Sequence, residues 1–370
     1  MKLTILQENL AKSLNLAARF SSTRSQLPIL GNILLSASKT KLKVASTNLE
    51  ISVSSEVGAK IEEEGELTIP SKVISEIVAN LPKGSIELQS DKEQLKISTS
   101  GFSSKVLGMN SADFPKIPGK VDTGKALVIS KKELSDALPK VLFSASVDET
   151  RPVLTGALFI LEKTSLTVVA TDGFRLSKKK INLKTGREGR VIVPKGVLNE
   201  LLRLVQEADE VLFDIEEKEK QVIFGIENII LTSRLIEGDY PDFEKIIPAS
   251  STIKVLIDKE ELLRAVKLAS IFARESFNIV KLALLKDSVK VLAESSSSGS
   301  QETKVDAKVE GDIGKDFEIA FNFHFLEEFL HSVIGDEVKM EFTTTTAAGI
   351  FRDSDDDNYL HLIMPVKLQT

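Results

Sequence analysis

A chain of 370 residues exceeds what one hydrophobic core usually serves and points to two or three domains. With 48 Lys+Arg against 54 Asp+Glu, 42 % apolar and 28 % charged residues, it has the balance of a folded, mildly acidic protein of net charge −6. Cysteine is absent, which excludes disulfides, thiolate metal centres and a cysteine nucleophile, and no apolar run is long enough for a membrane-spanning helix.

In chain order, apolar residues at i, i+4 and i+7 or i+8 predict a first helix over 8–20, following Leu3-Thr4-Ile5-Leu6. Lys41–Ser46 alternates like a strand, and Ile69-Pro70 precedes a second helical run, Val73, Ile74, Ile77, Val78 and Leu81. The pattern then begins again. Leu127–Leu134 repeats Leu3–Leu10 and opens a helix over 131–142; Leu166–Ala170 is strand-like; Val193-Pro194 precedes Val197, Leu198, Leu201, Leu202 and Val205. A third copy starts at Val255–Leu262, with helices over 258–274 and, after Phe321-Asn322, over 323–332.

The landmarks keep one spacing. Leu10, Leu134 and Leu262 lie 124 and 128 apart, as do Pro70, Pro194 and Asn322. Pro28-Ile29-Leu30 recurs as Pro152-Val153-Leu154, and Ser46-Thr47-Asn48 as Ala170-Thr171-Asp172, again at 124. Asp113-Phe114-Pro115 and Asp239-Tyr240-Pro241 close the first two copies. Such a period is too long for a solenoid and predicts three domains, over 1–120, 125–248 and 249–370, each with its own core. Each copy reads as α+β, two helices packed on antiparallel sheet.

Four segments carry a resemblance: Leu27-Pro28-Ile29-Leu30-Gly31-Asn32, Val169–Ser177 with its Thr171-Asp172-Gly173-Phe174-Arg175-Leu176, Asp239-Tyr240-Pro241-Asp242-Phe243, and Met364-Pro365-Val366-Lys367-Leu368. Over its whole length, and in order, the chain resembles the bacterial DNA polymerase III beta subunit family of sliding clamps. The resemblance implies three clamp-type domains per subunit, a ring-shaped head-to-tail dimer, and a non-catalytic role without cofactor or metal. It implies a cytoplasmic ring that encircles duplex DNA without sequence specificity and joins the nucleoid when loaded. Its partners would be the replicative polymerase, a clamp loader, and other polymerases and repair proteins carrying short Gln/Leu/Phe motifs.

The same resemblance turns Arg24, Lys72, Arg151, Pro152, Val153 and Lys195 toward DNA. It places Leu154, Thr171, Gly173, Phe174, Arg175, Leu176, Pro241, Lys245 and Ile246 in a partner-peptide groove, completed by Asn322, Phe325, Thr346, Leu362, Ile363, Met364, Pro365, Val366, Lys367 and Leu368. Aliphatic side chains and a soft methionine suit apolar anchors, with Arg175 and Asn322 to hold peptide backbone or a glutamine. Ile271 and Phe272 would meet the strand around Val106 of the other subunit. Charge agrees: five predicted helices carry +1 each and the sixth −2, leaving −9 elsewhere, a basic lining in an acidic shell.

Other motifs are weaker. Gly119-Lys120-Val121-Asp122-Thr123-Gly124-Lys125-Ala126 fits a phosphate loop except at Ala126, where Ser or Thr would bind magnesium; the alternative it offers is a nucleotide-binding enzyme. A third reading is an array of interaction modules without a DNA role. Asp353-Ser354-Asp355-Asp356-Asp357 resembles half a calcium loop and reads as a solvated hairpin. Ser295–Ser300 reads as a flexible loop, and His324 and His331 do not make a zinc motif.

Overall fold

The structure is a computed structural model and describes residues 1–22, 26–118, 120–314 and 317–367. Six α-helices stand among them where the periodicity placed them: α1 (Gln7–Ala18), α2 (Ser71–Asn80), α3 (Lys131–Leu142), α4 (Lys195–Leu204), α5 (Lys259–Ala273) and α6 (Phe323–Ser332). Each follows a strand with no loop between. This works because the last strand residue already has the extended backbone an N-cap requires: Leu6, Asp258 and Asn322 have φ/ψ of −74°/132°, −62°/129° and −68°/122°. Asp258 and Asn322 also cap with their side chains, accepting from the Glu261 and His324 amides at 2.8 and 3.0 Å.

The strands form three antiparallel sheets. One has the spatial order Lys60–Glu63, Lys2–Leu6, Ser85–Asp91, Gln94–Thr99, Phe102–Leu107. The second runs Leu127–Ser130, Glu210–Glu216, Gln221–Ile226, Ile229–Arg234, Ile51–Gly58, Lys41–Thr47, Asn32–Ser38, Gly65–Pro70. The third runs Gly189–Pro194, Gly156–Glu162, Ser165–Thr171, Arg175–Asn182, Tyr359–Ile363, Gly349–Asp353, Glu337–Phe342, Ile253–Asp258, Gly299–Glu310, Ser288–Ser295, Ile279–Leu284, Glu318–Asn322.

Two of these sheets cross repeat boundaries. Ile51 pairs with Ser233, and Arg175 pairs with Ile363. The chain accordingly forms two compact units, Met1–Lys132 with Gly196–Leu235, and Glu133–Lys195 with Ile236 to the chain end. Compactness follows the shared sheets, and the middle repeat contributes to both units. In the second unit the core of the third repeat is rich in aromatic rings, with Phe329 and Phe351 centroids 5.7 Å apart beside buried Phe321, Phe342 and Tyr359.

Two loop readings are corrected. The Asp353–Asp357 segment is the hairpin turn between Gly349–Asp353 and Tyr359–Ile363, with Asp355 and Asp357 exposed, but it is only partly solvated. Asp353 is buried; its carboxylate accepts from the Ile334 amide at 2.9 Å and the Asp355 amide at 3.0 Å. A Cβ on Gly335 would sit 2.5 Å from that carboxylate, so the close approach requires glycine there. Asp356 pairs with Lys140 and Lys179, which both also pair with Asp136. Burial alone would raise the pKa of Asp136 and Asp356, but the lysine hydrogen bonds outweigh it and hold both below the usual carboxylate range. Lys140, counted above in a basic lining, is buried and paired.

The Ser295–Ser300 segment is also tied down: the hydroxyls of Ser295, Ser297 and Ser298 all donate to Glu275 Oε2, which lowers that carboxyl to about 2. His324 packs on Phe323, and His331 lies 3.8 Å from Glu327 on the exposed side of α6.

Candidate functional site

The densest constellation of functional candidates lies in the second unit, around the turn joining Ser165–Thr171 to Arg175–Asn182. Thr171 Oγ1 donates to the Arg175 carbonyl and accepts from the Gly173 amide at 3.1 Å. Asp172 Oδ1 accepts from the amides of Phe174 and Arg175 at 2.9 and 3.0 Å. Gly173 takes φ +94°, the left-handed region glycine favours. Phe174 is consequently held outward, 61 % exposed. The first repeat builds the same turn from Thr47, Asn48 and Leu49, with Leu49 at φ +75°.

Arg175 is buried. Its Nε donates to Asp172 at 3.1 Å, its Nη2 to the Phe143 carbonyl at 2.8 Å, and its Nη1 to Glu328 on α6. The guanidinium lies 4.5 Å from the Phe325 ring centroid and 5.4 Å from that of Phe143. Asn322 uses its side-chain oxygen as the cap of α6.

The chain end completes the site. Strand Tyr359–Ile363 pairs with Arg175–Asn182, the Met364 amide then donates to the Phe174 carbonyl, and the Val366 amide donates to Ala320, each at 2.8 Å. Leu176 and Leu362 are fully buried in a cluster with Phe243, Ala348 and Ile350, against which Val153 and Tyr240 pack. Phe174, Met364 and Ile246 expose apolar surface, while Leu154, Thr171 and Ile363 are buried. Pro241, Lys245, Thr346 and Lys367 are exposed and Pro365 and Val366 half-buried; Lys245 pairs with Asp242 at 2.9 Å. Leu368 lies outside the described residues.

Sequence reasoning missed Phe243, Ala348, Phe143 and Glu328. Two of them left a signal: Phe243 closes the Asp239–Phe243 segment, and Glu200 stands 128 residues before Glu328, at the interval of the repeat.

Beneath the turn, His361 is fully buried. Its Nδ1 shares a 2.8 Å hydrogen bond with Ser177 Oγ, its ring stacks on Phe329, and its Nε2 has no hydrogen-bond partner among the described residues. Burial, then the charge of Arg175, pushes its pKa well below 6.5. The unfolded chain therefore takes up a proton that the folded protein refuses once the pH drops below about 6.5. Stability is expected to fall with pH there, by at most about 1.4 kcal/mol per unit. Urea midpoints between pH 7.5 and 5.5 should show that slope, and His361→Gln should flatten it.

The residues assigned to DNA are placed separately. Lys72 is exposed on α2, 4.0 Å from Glu76. Arg151 pairs with Asp148 at 3.1 Å and donates to the Asp172 carbonyl at 3.3 Å, beside the turn just described; Pro152 is exposed and Val153 half-buried. Burial and the nearby Arg175 charge lower the Lys195 pKa. Arg24 lies outside the described residues. Of the dimer candidates, Ile271 is 59 % exposed, Phe272 packs partly on its own core, and Val106 faces inward on an outermost strand whose Phe102 and Leu107 are exposed.

The phosphate-loop alternative fails on local geometry. Gly119 is outside the described residues, but Asp122 accepts from the Gly124 amide at 3.0 Å and pairs with Lys125, the side chain that would have to reach phosphate. The segment leads into strand Leu127–Ser130, where a phosphate loop must open a helix. Among the described residues there is no group of three or more His, Cys, Asp or Glu side chains placed to hold a metal.

Three α+β repeats sharing antiparallel sheets, with the last strand paired to the middle repeat over a buried apolar cluster, define a clamp-type fold. Comparison with known proteins agrees: the N-terminal, central and C-terminal domains of the DNA polymerase III beta subunit match residues 1–118, 128–242 and 244–367. The chain is 31 % identical to the beta sliding clamp of Staphylococcus epidermidis and 32 % identical to that of Staphylococcus aureus, over 99 % of each chain. The crystal structure of the DNA polymerase sliding clamp from Bacillus subtilis superposes with a TM-score of 0.93 at 28 % identity, covering both chains fully. The chain belongs to the DNA polymerase III beta subunit family, the beta sliding clamps, which confer processivity on the polymerase and catalyse nothing themselves. No helix among the described residues is long and apolar enough to cross a membrane.

Proposed function

We propose that two copies of this chain close head-to-tail into a ring around duplex DNA, through domains spanning 1–120, 125–248 and 249–370. The ring holds the replicative polymerase, and other polymerases and repair proteins, through short Gln/Leu/Phe peptides seated in the groove of the second unit. The observation that carries the peptide reading is the buried Leu176–Leu362–Phe243 cluster, with Phe174, Met364 and Ile246 exposed close by in the chain. Lys72 on α2 and Arg264 and Lys267 on α5 are exposed and support a backbone-directed, sequence-independent attraction. Arg151 is engaged by Asp148 and the Asp172 carbonyl, and Lys195 is half-buried near the Arg175 charge, so their share of the DNA contact is the smaller one. The protein works in the cytoplasm, on the nucleoid once an ATP-driven loader has opened and closed it.

Encirclement has a signature no surface patch shares. Loaded complexes should persist on nicked circular DNA through a high-salt wash and run off the ends of the same DNA once it is linearised. Equal retention on both forms would mean ordinary patch binding. In the same assay, Lys72→Ala should lower the salt slope of loading-independent binding by about one unit.

A further inference from the structure

We propose that Glu328 is a positioning residue of the partner groove: it clamps Arg175 as a strut between the Thr171–Arg175 turn and α6, and Arg175 does not itself hold the partner. This rests on the groove reading above. The turn carries Phe174 and receives the chain end through the Met364 amide, whereas α6 carries Phe325. Arg175 bridges them, with Asp172 and the Phe143 carbonyl on one side and Glu328 and the Phe325 face on the other. A guanidinium spent on four groups of its own protein is poorly disposed to bind a weak, exchanging peptide.

The first unit supplies an internal control. Glu200 stands 128 residues before Glu328, and it too pairs with an arginine of the preceding repeat, Arg19, at 3.1 Å. Yet Arg19 occupies the position equivalent to Phe143, and Ile51 the position equivalent to Arg175, both 124 residues earlier. The chain passes the joint the same way, the Arg234 amide donating to the Glu50 carbonyl at 3.0 Å as Met364 does to Phe174. The arginine–glutamate pair thus recurs at a joint where the Gly, Phe and Arg of the peptide turn do not. It tracks the joint, not the peptide residues.

The test measures affinity for a fluorescein-labelled Gln-x-x-Leu-Phe peptide together with amide exchange at Met364. Glu328→Gln should lower affinity roughly tenfold and speed Met364 exchange while sedimentation mass stays that of wild type. Arg175→Ile should behave alike, and Phe143→Arg/Arg175→Ile, which rebuilds the arrangement of the first unit, should recover both readouts. Wild-type affinity and exchange in Glu328→Gln would overturn the strut. So would a folded double variant that fails to bind peptide although its Met364 exchange is restored, since Arg175 would then be a direct contact. If the double variant does not fold, Glu328→Gln decides alone. If wild-type protein binds no such peptide, the groove reading falls, and Met364 exchange still decides whether Glu328 holds the joint.

Discussion

Deleting Met364–Thr370 should abolish binding of a Gln-x-x-Leu-Phe peptide and leave the sedimentation mass unchanged. Met364 is one of the exposed apolar side chains, and its amide holds the chain end to Phe174. Burying one Leu or Phe anchor is worth roughly 1.5–3 kcal/mol before ordering costs, so two anchors suffice for only micromolar binding. With so little in reserve, removing one wall takes the affinity below detection in titration calorimetry. The strand Tyr359–Ile363 stays paired to Arg175–Asn182, and its leucines stay buried, so the sheet survives the truncation. Undiminished peptide affinity after the deletion would remove the groove from the proposed function.

Ile271→Ala with Phe272→Ala should convert the dimer to a folded monomer in analytical ultracentrifugation. The end of α5 presents Ile271 at 59 % exposure, with Leu268 at 45 % and Phe277 at 90 % close by in the chain, an apolar surface that a solitary subunit would leave in water. Beside it Glu275 gathers three serine hydroxyls and fixes the neighbouring loop. A closed two-subunit ring contains each contact twice, so the double substitution removes four apolar side chains from the assembly. At up to about 1.5–3 kcal/mol for each Ile271 and less for each Phe272, whose ring already packs partly on its own core, the loss is large enough to shift a dimer to monomer at micromolar concentration. Because Phe272 packs partly on its own core, Ile271→Lys serves as the companion variant that leaves the core intact. A dimer that persists in both would place the interface elsewhere.

The α+β class, the threefold repeat and all six helices were legible in the sequence, because each depends on spacing over ten or so residues or on landmarks recurring at a fixed interval. Leu10, Leu14 and Ala17 on α1, and Leu326, Phe329 and Leu330 on α6, lie buried as helical periodicity demands. The Thr171–Gly173 turn was legible for the same reason: its hydrogen bonds close within four residues. What the sequence left open involves partners far apart in the chain. Nothing near Asp356 announces Lys140 and Lys179, 216 and 177 residues away, and a run of acidic residues reads as solvated until its cations are found. Nothing near Arg175 announces Glu328, so an arginine in this turn reads as free to bind a ligand until its intramolecular partner is found. The sharing of the middle repeat between two compact units follows from Ile51 pairing with Ser233 and Arg175 with Ile363. Strand order is a matter of which edges meet, and edges carry no local code: their backbone amides and carbonyls are alike in every residue, so only the packed tertiary structure chooses among them.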